Sequence, residues 1–519
     1  MKKFLQRHGE QILGVLSGFD RIRLRGSLRL LATAGGVVSW LRSIGAPLEK
    51  FLEVSQELTK RLCRQTEKMA EAAGRPVIYL AERTDKEDLV QTIRGEQGAA
   101  GNGLVALLSA VEPVSSYTLY RSRTKQPFLK RGTRKCKHYY YYWDDGRFGL
   151  CQVRLATWFP FDCHVLLNGR EWLARQMDDA GIGYLRRDNC FVHLEDAARA
   201  QALADTQPRI DWPGQLGRLL RRAHPLHAEF FAGAGQIDYY WTSEQTEWAS
   251  DVQFQGAAVL RRLYPQLLRH GLETFQSPDV LRFLGHKLPA HGGVHGQYAG
   301  LVMSDLKRRE EGVRLKHRAG QNSVKMYNKQ PMLLRVETTL NDTRGLKVYR
   351  RKQGDPQGKR QWRKLRKSVA DLPRRCQLSQ AANERYLEAL GTVAADAPLA
   401  ELTDRLCQSV QVGSRRFRAL RPFDPADVRL FQAVTRGEFL IAGCRNRDIR
   451  LALYGACDDP AEVRRQSARV SRQLALLRAH GLLKKIPHTH RYLLTESGIA
   501  AITALLAARN LNLTTIAAA

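Results

Sequence analysis

The chain has 519 residues, of which 83 are Lys or Arg and 51 are Asp or Glu, so its formal net charge is +32. Hydrophobic residues make up 43% and charged residues 26%, which excludes a disordered polyelectrolyte, and the length predicts about three domains. The basic surplus indicates a polyanionic partner: nucleic acid is the first candidate and an anionic membrane surface the alternative. No apolar run approaches the roughly 20 residues that span a bilayer.

The amino-terminal residues include two lysines but no signal-peptide core. The polar stretch QRHGEQ at 6–11 interrupts the apolar residues, so we expect an amphipathic first helix over 4–15 instead. The nine cysteines include no CxxC pair, which argues against a disulfide framework and against a structural zinc site. We therefore expect a cytoplasmic protein without a membrane partner, associated with the nucleoid.

The first 130 residues alternate strand and helix patterns. Short apolar runs at 77–80 and 104–108 flank a helical spacing at 85–96, which predicts a βαβ unit. The glycine-rich stretch at 95–103 lacks the GK[ST] ending of a phosphate loop and does not follow a strand directly. It is therefore interpreted as a plain loop.

The clearest β pattern lies at 134–170, where aromatic and β-branched residues surround an Asp145-Gly146 hairpin signal. A helix over EWLARQMDDAG follows and is expected to end at Gly181. Four tyrosines and Trp143 stand beside four basic residues in this region. They allow two interpretations: a base-stacking platform for nucleic acid, or strand aromatics of which alternate ones face the core while the others cover a solvated strand.

Residues 201–300 have a mainly helical pattern with aromatic clusters. Glu244, Glu247 and Asp251 recur at i, i+3 and i+7, so on a helix their carboxylates share one face. Such a face either holds Mg²⁺ in a nuclease or is the solvated face of a basic protein.

Residues 305–375 concentrate the charge, with 22 Lys and Arg against 7 Asp and Glu. The densest run is KVYRRKQGDPQGKRQWRKLRKSVADLPRR, and the Gly and Pro residues at its centre predict a loop. We expect this run to contact a phosphate backbone rather than to form an ordinary solvated face. The expected contacts are Arg363, Lys364, Arg366 and Lys367.

The lower-complexity stretch GTVAADAPLAELTD at 391–404 is interpreted as a linker or a short acidic helix, and the linker region at 391–419 separates these parts from a C-terminal module. The segments NRDIRLALYG and DPAEVRRQSARVSRQLALLRAHG predict helices that end at glycines, LLKKIPHTHRYLLT predicts a hairpin, and ESGIAAITALLAARN predicts a last helix. This order resembles a winged helix-turn-helix domain. The segment LLRAHGLLKKIPHTHRYLLTESG is typical of the recognition helix and wing of that family.

The resemblance implies that the module binds duplex DNA, with a helix in the major groove and the wing on the flanking backbone. Because some winged helices bind protein instead, basic side chains support the DNA interpretation. The expected contacts are Arg464, Arg465, Arg469 and Arg472 on the helix and Lys484, Lys485, His488, His490 and Arg491 on the wing.

Residues 313–340 predict a small antiparallel sheet that carries chemistry. Alternation indicates strands at 313–318, 322–328 and 333–340, with a tight turn at 329–332. In this register a tyrosine, a glutamate, a lysine and an arginine gather on one polar face. Such a face is able to perform phosphoryl transfer, because the tyrosine attacks a phosphate, the glutamate helps to hold a divalent metal, and the basic pair stabilises charge.

This hairpin resembles the end of the catalytic domain in plasmid rolling-circle replication initiators and conjugative relaxases, where an R-x-Y-x-K strand precedes an R-[VI]-E strand. The counterparts are Lys325-Met326-Tyr327-Asn328-Lys329 and Arg335-Val336-Glu337. The resemblance implies that Tyr327 is the nicking nucleophile, assisted by Lys325 and Arg335. It also implies that Glu337 belongs to a Mg²⁺ or Mn²⁺ site. A structural hairpin with a hydrogen-bonded tyrosine is the alternative.

The histidines do not complete such a metal site. His291 and His295 lie four apart in a glycine-rich stretch, and His317 shares a strand face with apolar residues. His488-Thr489-His490 resembles the His-x-His signature of rolling-circle endonucleases. Its middle residue is polar and its position is a wing tip, so we expect no metal there.

As a whole, the sequence predicts a multidomain α/β (α+β) protein, with a mixed α/β body, antiparallel hairpins and a winged helix. FDRIRLRG near the start and TWFPFDCHVLLNGREWLARQM in the middle also resemble a class of uncharacterised bacterial proteins, which implies no function. The expected parts are an N-terminal α/β domain at 1–130, a hairpin and helical region at 131–300, a basic β-meander and loop at 301–390, the linker at 391–419 and the winged helix at 420–519.

Two functions fit these observations. The first is a DNA-acting protein of a mobile genetic element, a site-specific nicking enzyme similar to replication initiators or transposases that uses Tyr327 and Mg²⁺ or Mn²⁺. The second is a non-enzymatic protein that binds DNA or structured RNA, as a regulator or a ribonucleoprotein partner. Metal-dependent cleavage by the purified protein distinguishes the two.

Overall fold

The computed structural model describes residues 1–81, 84–97, 101–235, 237–286, 302–309, 312–352, 354–355, 357–392, 399–487 and 489–509. Seventeen α-helices and nineteen strands lie within these ranges. None of the described helices combines the length and the apolar character that crossing a bilayer requires. The helices and strands together make the chain a mixed α/β protein.

The helices follow one another in chain order as α1 (Lys2–His8), α2 (Ala34–Ser43), α3 (Phe51–Ala72), α4 (Lys86–Gln97), α5 (Gly169–Asp179), α6 (Ala197–Ala204), α7 (Trp212–Ala223), α8 (His227–Phe230), α9 (Ala257–Thr274), α10 (Ser277–Phe283), α11 (Leu372–Leu390), α12 (Leu399–Leu406), α13 (Pro425–Val434), α14 (Gly437–Ala442), α15 (Asn446–Tyr454), α16 (Pro460–Ala479) and α17 (Glu496–Arg509).

The strands are β1 (Ile12–Leu28), β2 (Val77–Tyr79), β3 (Leu104–Arg121), β4 (Pro127–Asp145), β5 (Gly149–Ala156), β6 (Cys163–Asn168), β7 (Tyr184–Arg187), β8 (Cys190–Leu194), β9 (Tyr239–Phe254), β10 (Val302–Arg309), β11 (Gly312–Ala319), β12 (Asn322–Asn328), β13 (Leu333–Leu340), β14 (Lys347–Arg350), β15 (Gln361–Lys364), β16 (Val410–Val412), β17 (Arg415–Phe417), β18 (Leu483–Lys485) and β19 (Tyr492–Leu494).

The chain divides into two compact units. The first unit comprises Met1–Leu16, Ala249–Thr339 and Leu378–Ala519. The second comprises Ser17–Trp248 and Leu340–Gln377. The expected boundary at residue 130 lies inside strand β4.

A mixed sheet forms the centre of the second unit, in the order β1-β6-β5-β4-β3-β2. Strands β2 and β3 are parallel and joined through α4, which confirms the expected βαβ unit. The β4–β5 hairpin turns after Asp145, and α5 is followed by Gly181 at φ +63°. Both features are as the sequence predicts. Gly181 suits the end of the helix because glycine adopts this φ without strain.

The aromatic run of β4 is buried on both faces. The Tyr141 hydroxyl lies 2.8 Å from Thr66 Oγ1 of helix α3, whereas Tyr140 and Tyr142 pack on the other side in a cluster with Val90 of α4. Each of the four tyrosines and Trp143 is at most 6% exposed. The base-stacking interpretation of these residues is therefore wrong, and so is the expectation that alternate rings reach solvent.

The stretch that contains Glu244 and Glu247 is the extended strand β9, so the prediction of a helix there is wrong. Aromatic and β-branched residues such as Trp241 and Thr242 favour a strand over a helix. Side chains three apart point to opposite faces of a strand. Glu244, Glu247 and Asp251 therefore do not form the helical carboxylate face that their spacing indicates.

The first unit contains an antiparallel meander, β10-β11-β12-β13, with the end of β9 beside β13. The observed strands agree closely with those expected at 313–318, 322–328 and 333–340. Their apolar face, with Leu315, Met326 and Val336, packs in one cluster with helical residues such as Leu267 and Tyr386. Burial of this face fixes the strand register, because a slip by one residue exposes it to water.

The amino-terminal helix is shorter than expected. Helix α1 ends at His8, and Ile12 begins strand β1. Further along β1 the side chains alternate, with Ile22 buried and Arg21 exposed, which is the period of a strand and not of a helix. The chain end is held by the Met1 amino group, which lies 2.8 Å from Glu388 of α11.

The C-terminal part of the first unit follows the predicted order of elements. Helices α15 and α16 are followed by Gly455 and Gly481, both at positive φ, and the strands β18 and β19 pair as a hairpin before α17. Cys444, just before α15, forms an isolated antiparallel bridge with Tyr492. The buried residues of these elements form one hydrophobic cluster.

Candidate functional site

A polar face of the β11–β13 sheet brings together the four side chains that the sequence singles out. Lys325 lies directly opposite Glu337, and Tyr327 lies opposite Arg335. Each pair belongs to adjacent antiparallel strands, so the four side chains point to the same side, away from the apolar cluster. The structure thus confirms the predicted strands and the shared face.

Glu337 is the centre of this group. Its carboxylate lies 2.7 Å from the Lys325 ammonium through Oε1 and accepts a hydrogen bond of 2.9 Å from the Tyr327 hydroxyl through Oε2. Glu337 is fully buried, and Tyr327 is 8% exposed. Burial raises the pKa of Glu337. The charges of Lys325 and Arg335 and the hydrogen bond from Tyr327 lower it by more, so the net pKa is below the ordinary value. The carboxylate is therefore ionised at neutral pH.

Arg335 is a buried structural cation. It is fully buried, and its guanidinium donates from Nε and Nη2 to the two carboxylate oxygens of Asp251, at 2.5 and 2.8 Å. Such a bidentate pair is geometrically specific. Asp251 thus binds Arg335 and does not belong to the metal-binding helical face that its spacing predicts. Arg335 holds β13 against β9, where it does not meet solvent.

Further basic residues extend the polar face toward strand β10. Lys316 lies opposite Lys325, and Arg314 lies opposite Tyr327. Burial and the neighbouring charges of Lys325 and Arg314 lower the pKa of Lys316. Asp305 offsets part of this charge, because its carboxylate lies 3.4 Å from Arg314. Lys325, Lys316 and Arg314 thus place positive charge on the face that carries Tyr327, and Glu337 and Asp305 offset part of it.

His317 belongs to the opposite, apolar face, as predicted. It is completely buried, with its imidazole 2.8 Å from Ser304 Oγ and 3.1 Å from the Tyr386 hydroxyl. Burial lowers its pKa to about 4. It points away from Glu337 and does not serve that carboxylate as a second metal ligand. His291, His295 and His488 lie outside the described residues.

In this arrangement both oxygens of Glu337 already contact protein groups. A divalent ion at Glu337 competes with the Lys325 ammonium for Oε1, whereas proton transfer from Tyr327 to Oε2 needs no rearrangement. In the second unit the carboxylates of Asp20 and Glu247 lie within 4.8 Å of each other, a proximity that the helical interpretation of β9 had obscured. Two adjacent acids alone do not define a metal site.

The basic side chains of the C-terminal part are largely exposed. Arg465, Arg469 and Arg472 follow one another at i, i+4 and i+7 on α16 and are exposed, so they share one face of the helix. Arg464 is also exposed and donates to the Pro460 carbonyl. On the hairpin, Lys484, Lys485 and His490 are exposed and Arg491 is half-buried.

The four basic residues expected to contact phosphates at 363–367 differ in their environments. Lys364 and Lys367 are exposed, whereas Arg363 is half-buried on strand β15. Arg366 lies 3.2 Å from the buried Asp371, which it shares with Arg350. A uniform phosphate-contacting row is therefore not what the fold presents, and the two lysines are the members that face solvent.

Comparison with protein-family models, with curated proteins and with solved structures finds no match to this chain.

Proposed function

We propose that this protein binds DNA and nicks one strand, as a processing enzyme of a mobile genetic element, with Tyr327 as the nucleophile. The observation that carries the proposal is the hydrogen bond from the Tyr327 hydroxyl to the ionised Glu337 carboxylate. A nucleophile within 2.6–3.2 Å of a base is the arrangement that covalent catalysis requires. The basic residues around it fit a phosphate substrate.

In the proposed step, the Tyr327 oxygen attacks the phosphorus of a phosphodiester and its proton passes to Glu337 Oε2. The bond from phosphorus to the 3′ oxygen breaks, and that oxygen takes a proton from water. The product is a 5′-phosphotyrosyl DNA and a free 3′-hydroxyl end. The Lys325 ammonium, 2.7 Å from Glu337, keeps the carboxylate ionised before the transfer and neutralises charge near the phosphate.

A Mg²⁺ or Mn²⁺ ion, if it binds here, supplies further neutralisation of the phosphate charge. The resemblance to the rolling-circle enzymes implies that Glu337 would hold this ion. The proton transfer described above depends on the contacts between Tyr327, Glu337 and Lys325 alone.

DNA binding is assigned to the C-terminal part. The order of α15, α16, the β18–β19 hairpin and α17 supports a winged helix-turn-helix, and the bridge between Cys444 and Tyr492 adds one further antiparallel pairing to the hairpin. The exposed arginines of α16 then face the major groove. The exposed lysines of the hairpin contact the flanking phosphates.

A second candidate is a non-enzymatic nucleic-acid-binding protein. The observation that favours it is burial, because Tyr327 is only 8% exposed and Glu337 is not exposed at all. Buried, fully hydrogen-bonded polar groups are also a common structural device. In that case the basic surfaces bind DNA or structured RNA and no strand is cut.

The test is the formation of a covalent adduct. The full-length protein is incubated with labelled single-stranded DNA from the flanks of its own gene and with Mn²⁺, and denaturing gels are examined for a protein–DNA product. We expect an adduct that Tyr327→Phe abolishes and Glu337→Gln strongly reduces. Tyr264→Phe is the matched control, since it removes another buried hydroxyl of the same unit, one that donates to the Val313 carbonyl.

Two outcomes contradict the nicking mechanism. One is the absence of any adduct across these flanks while DNA binding is intact, which supports the non-enzymatic candidate. The other is an adduct that persists in Tyr327→Phe, which assigns the nucleophile elsewhere.

A further inference from the structure

Strands β14 and β15 form a separate two-stranded ribbon in the second unit. Tyr349 lies directly opposite Trp362, and Lys347 lies opposite Lys364. Residues two apart on a strand point to the same side, so these four side chains share one face of the ribbon. The other face, with Val348 and Arg363, is half-buried.

The two aromatic rings on the open face are unusually exposed. Trp362 is 59% and Tyr349 54% exposed, and their ring centroids lie 5.5 Å apart. The other seven tryptophans of the sequence, all within the described residues, are each at most 6% exposed. Large rings are normally buried because water contact is unfavourable. A neighbouring pair left open on one face therefore indicates a binding surface.

Positive charge surrounds this pair. Residues 347–364 contain eight Lys and Arg and a single acid, Asp355. Lys347 and Lys364 face each other across the strands, and like charges in that position destabilise a ribbon. The Arg374 guanidinium adds a cation 5.6 Å from the Trp362 ring. The ribbon is nevertheless anchored at its base, because Leu346 and Leu365 are buried and joined by a backbone hydrogen bond.

We propose that this ribbon binds single-stranded nucleic acid, with unpaired bases stacked on Tyr349 and Trp362 and phosphates on Lys347 and Lys364. Aromatic faces accept any base, and lysines at the ribbon edge follow the backbone, which is how sequence-tolerant single-strand binding is built. Duplex DNA keeps its bases stacked on one another, so it offers phosphates but no free base faces. The inference rests on the proposed function for its choice of nucleic acid as the partner, and it specifies the strand state.

The first experiment uses the intrinsic fluorescence of Trp362 in the full-length protein. Because the other tryptophans are buried, stacking of a base on this ring quenches the solvent-accessible part of the emission. We expect quenching by oligo-dT and by oligo-rU, and little by a duplex of equal length. The relative affinities of the DNA and RNA oligonucleotides then identify the preferred source of the single strand.

The second experiment measures the binding of labelled oligonucleotides by anisotropy. We expect Trp362→Ala to weaken single-strand binding by about 5- to 150-fold, the range for loss of one stacked base, and Trp362→Phe to retain most of it. Tyr79→Ala is the matched control, because Tyr79 is an exposed ring of the same unit, on edge strand β2. It should leave the affinity unchanged.

The third experiment measures the salt dependence. Lys347→Gln and Lys364→Gln should each make the log–log slope of single-strand affinity against salt shallower by about 0.7, the value for one phosphate contact. Lys60→Gln and Lys68→Gln, on exposed positions of α3, should leave the slope unchanged. These controls separate local contacts from a general loss of charge.

Three results overturn the inference. One is single-strand binding without quenching of Trp362 and with the same affinity in Trp362→Ala. Another is equal quenching by duplex and single strand, which shows that the ribbon contacts phosphates only. The third is tight binding of duplex DNA with no measurable single-strand binding, which removes this inference but leaves the proposed DNA binding in place. If no nucleic acid binds at all, both proposals fail together.

Discussion

Arg335→Met is the substitution whose consequence the structure defines most closely. It removes a fully buried guanidinium from two hydrogen bonds and leaves the Asp251 carboxylate, 3% exposed, without that partner. Removing one member of a buried ion pair costs about 3–5 kcal/mol, because the remaining charge is left desolvated. The first unit should therefore lose this much free energy of unfolding.

Hydrogen exchange followed by mass spectrometry is the assay of choice, since all eight tryptophans lie in the second unit and fluorescence does not report on the first. We expect the protected amides of β12 and β13 to exchange about 100-fold faster or more, as about 1.4 kcal/mol corresponds to tenfold. Arg314→Met is the control. Arg314 pairs with Asp305, which is 39% exposed, and pairs of this kind contribute about 1 kcal/mol or less.

The double variant Arg335→Met, Asp251→Leu separates charge from packing. When both members of a buried pair are replaced by apolar residues of similar volume, the stability is often unchanged or increased. The double variant should therefore recover most of the lost protection. If Arg335→Met alone exchanges no faster than Arg314→Met, or if the double variant is less stable than the single one, the ion-pair reasoning is wrong.

Two further predictions concern pH and DNA. Burial lowers the folded-state pKa of His317 to about 4, below the unfolded value of about 6.5. The contribution of His317 to stability is therefore complete above about pH 6.5, and about 3 kcal/mol of it is lost as the pH falls toward 4. Acid titration of the first unit, followed by hydrogen exchange, should show a smaller loss in His317→Phe. Arg469→Ala and Arg472→Ala should each weaken duplex binding by about 1–3 kcal/mol if they contact bases. Arg478→Ala, in the last turn of the same helix, should leave duplex binding unchanged. Equal effects of all three substitutions contradict a recognition face on α16.

The polar face of the meander was predictable because alternation and burial act together there. Val324 and Met326 had to point inward, which left Lys325 and Tyr327 on the other side. The short turn then placed Glu337 opposite Lys325. A strand with one apolar and one polar face carries its own register, so the local sequence was sufficient.

Strands covered on both faces were interpreted less well. In β4 the rings point alternately toward α3 and toward α4, and no residue pattern within the strand shows that a helix covers each side. In β9 the acids happen to recur at helical intervals, although the aromatic and β-branched content favours a strand. Spacing of a few charged residues is weaker evidence than the character of the residues between them.

Pairings between distant segments were beyond the sequence for a physical reason. Arg335 meets an aspartate 84 positions earlier in the chain, and only the fold makes that aspartate a neighbour of β13. The exposure of Trp362 also depends on the fold. The residue type does not predict it, because the seven other tryptophans of this chain are buried. Charge density pointed to the region around residues 347–364, because charge is additive along a sequence. Which ring remains in contact with water depends on what packs over it, and here a two-stranded ribbon outside the main sheets leaves one face open.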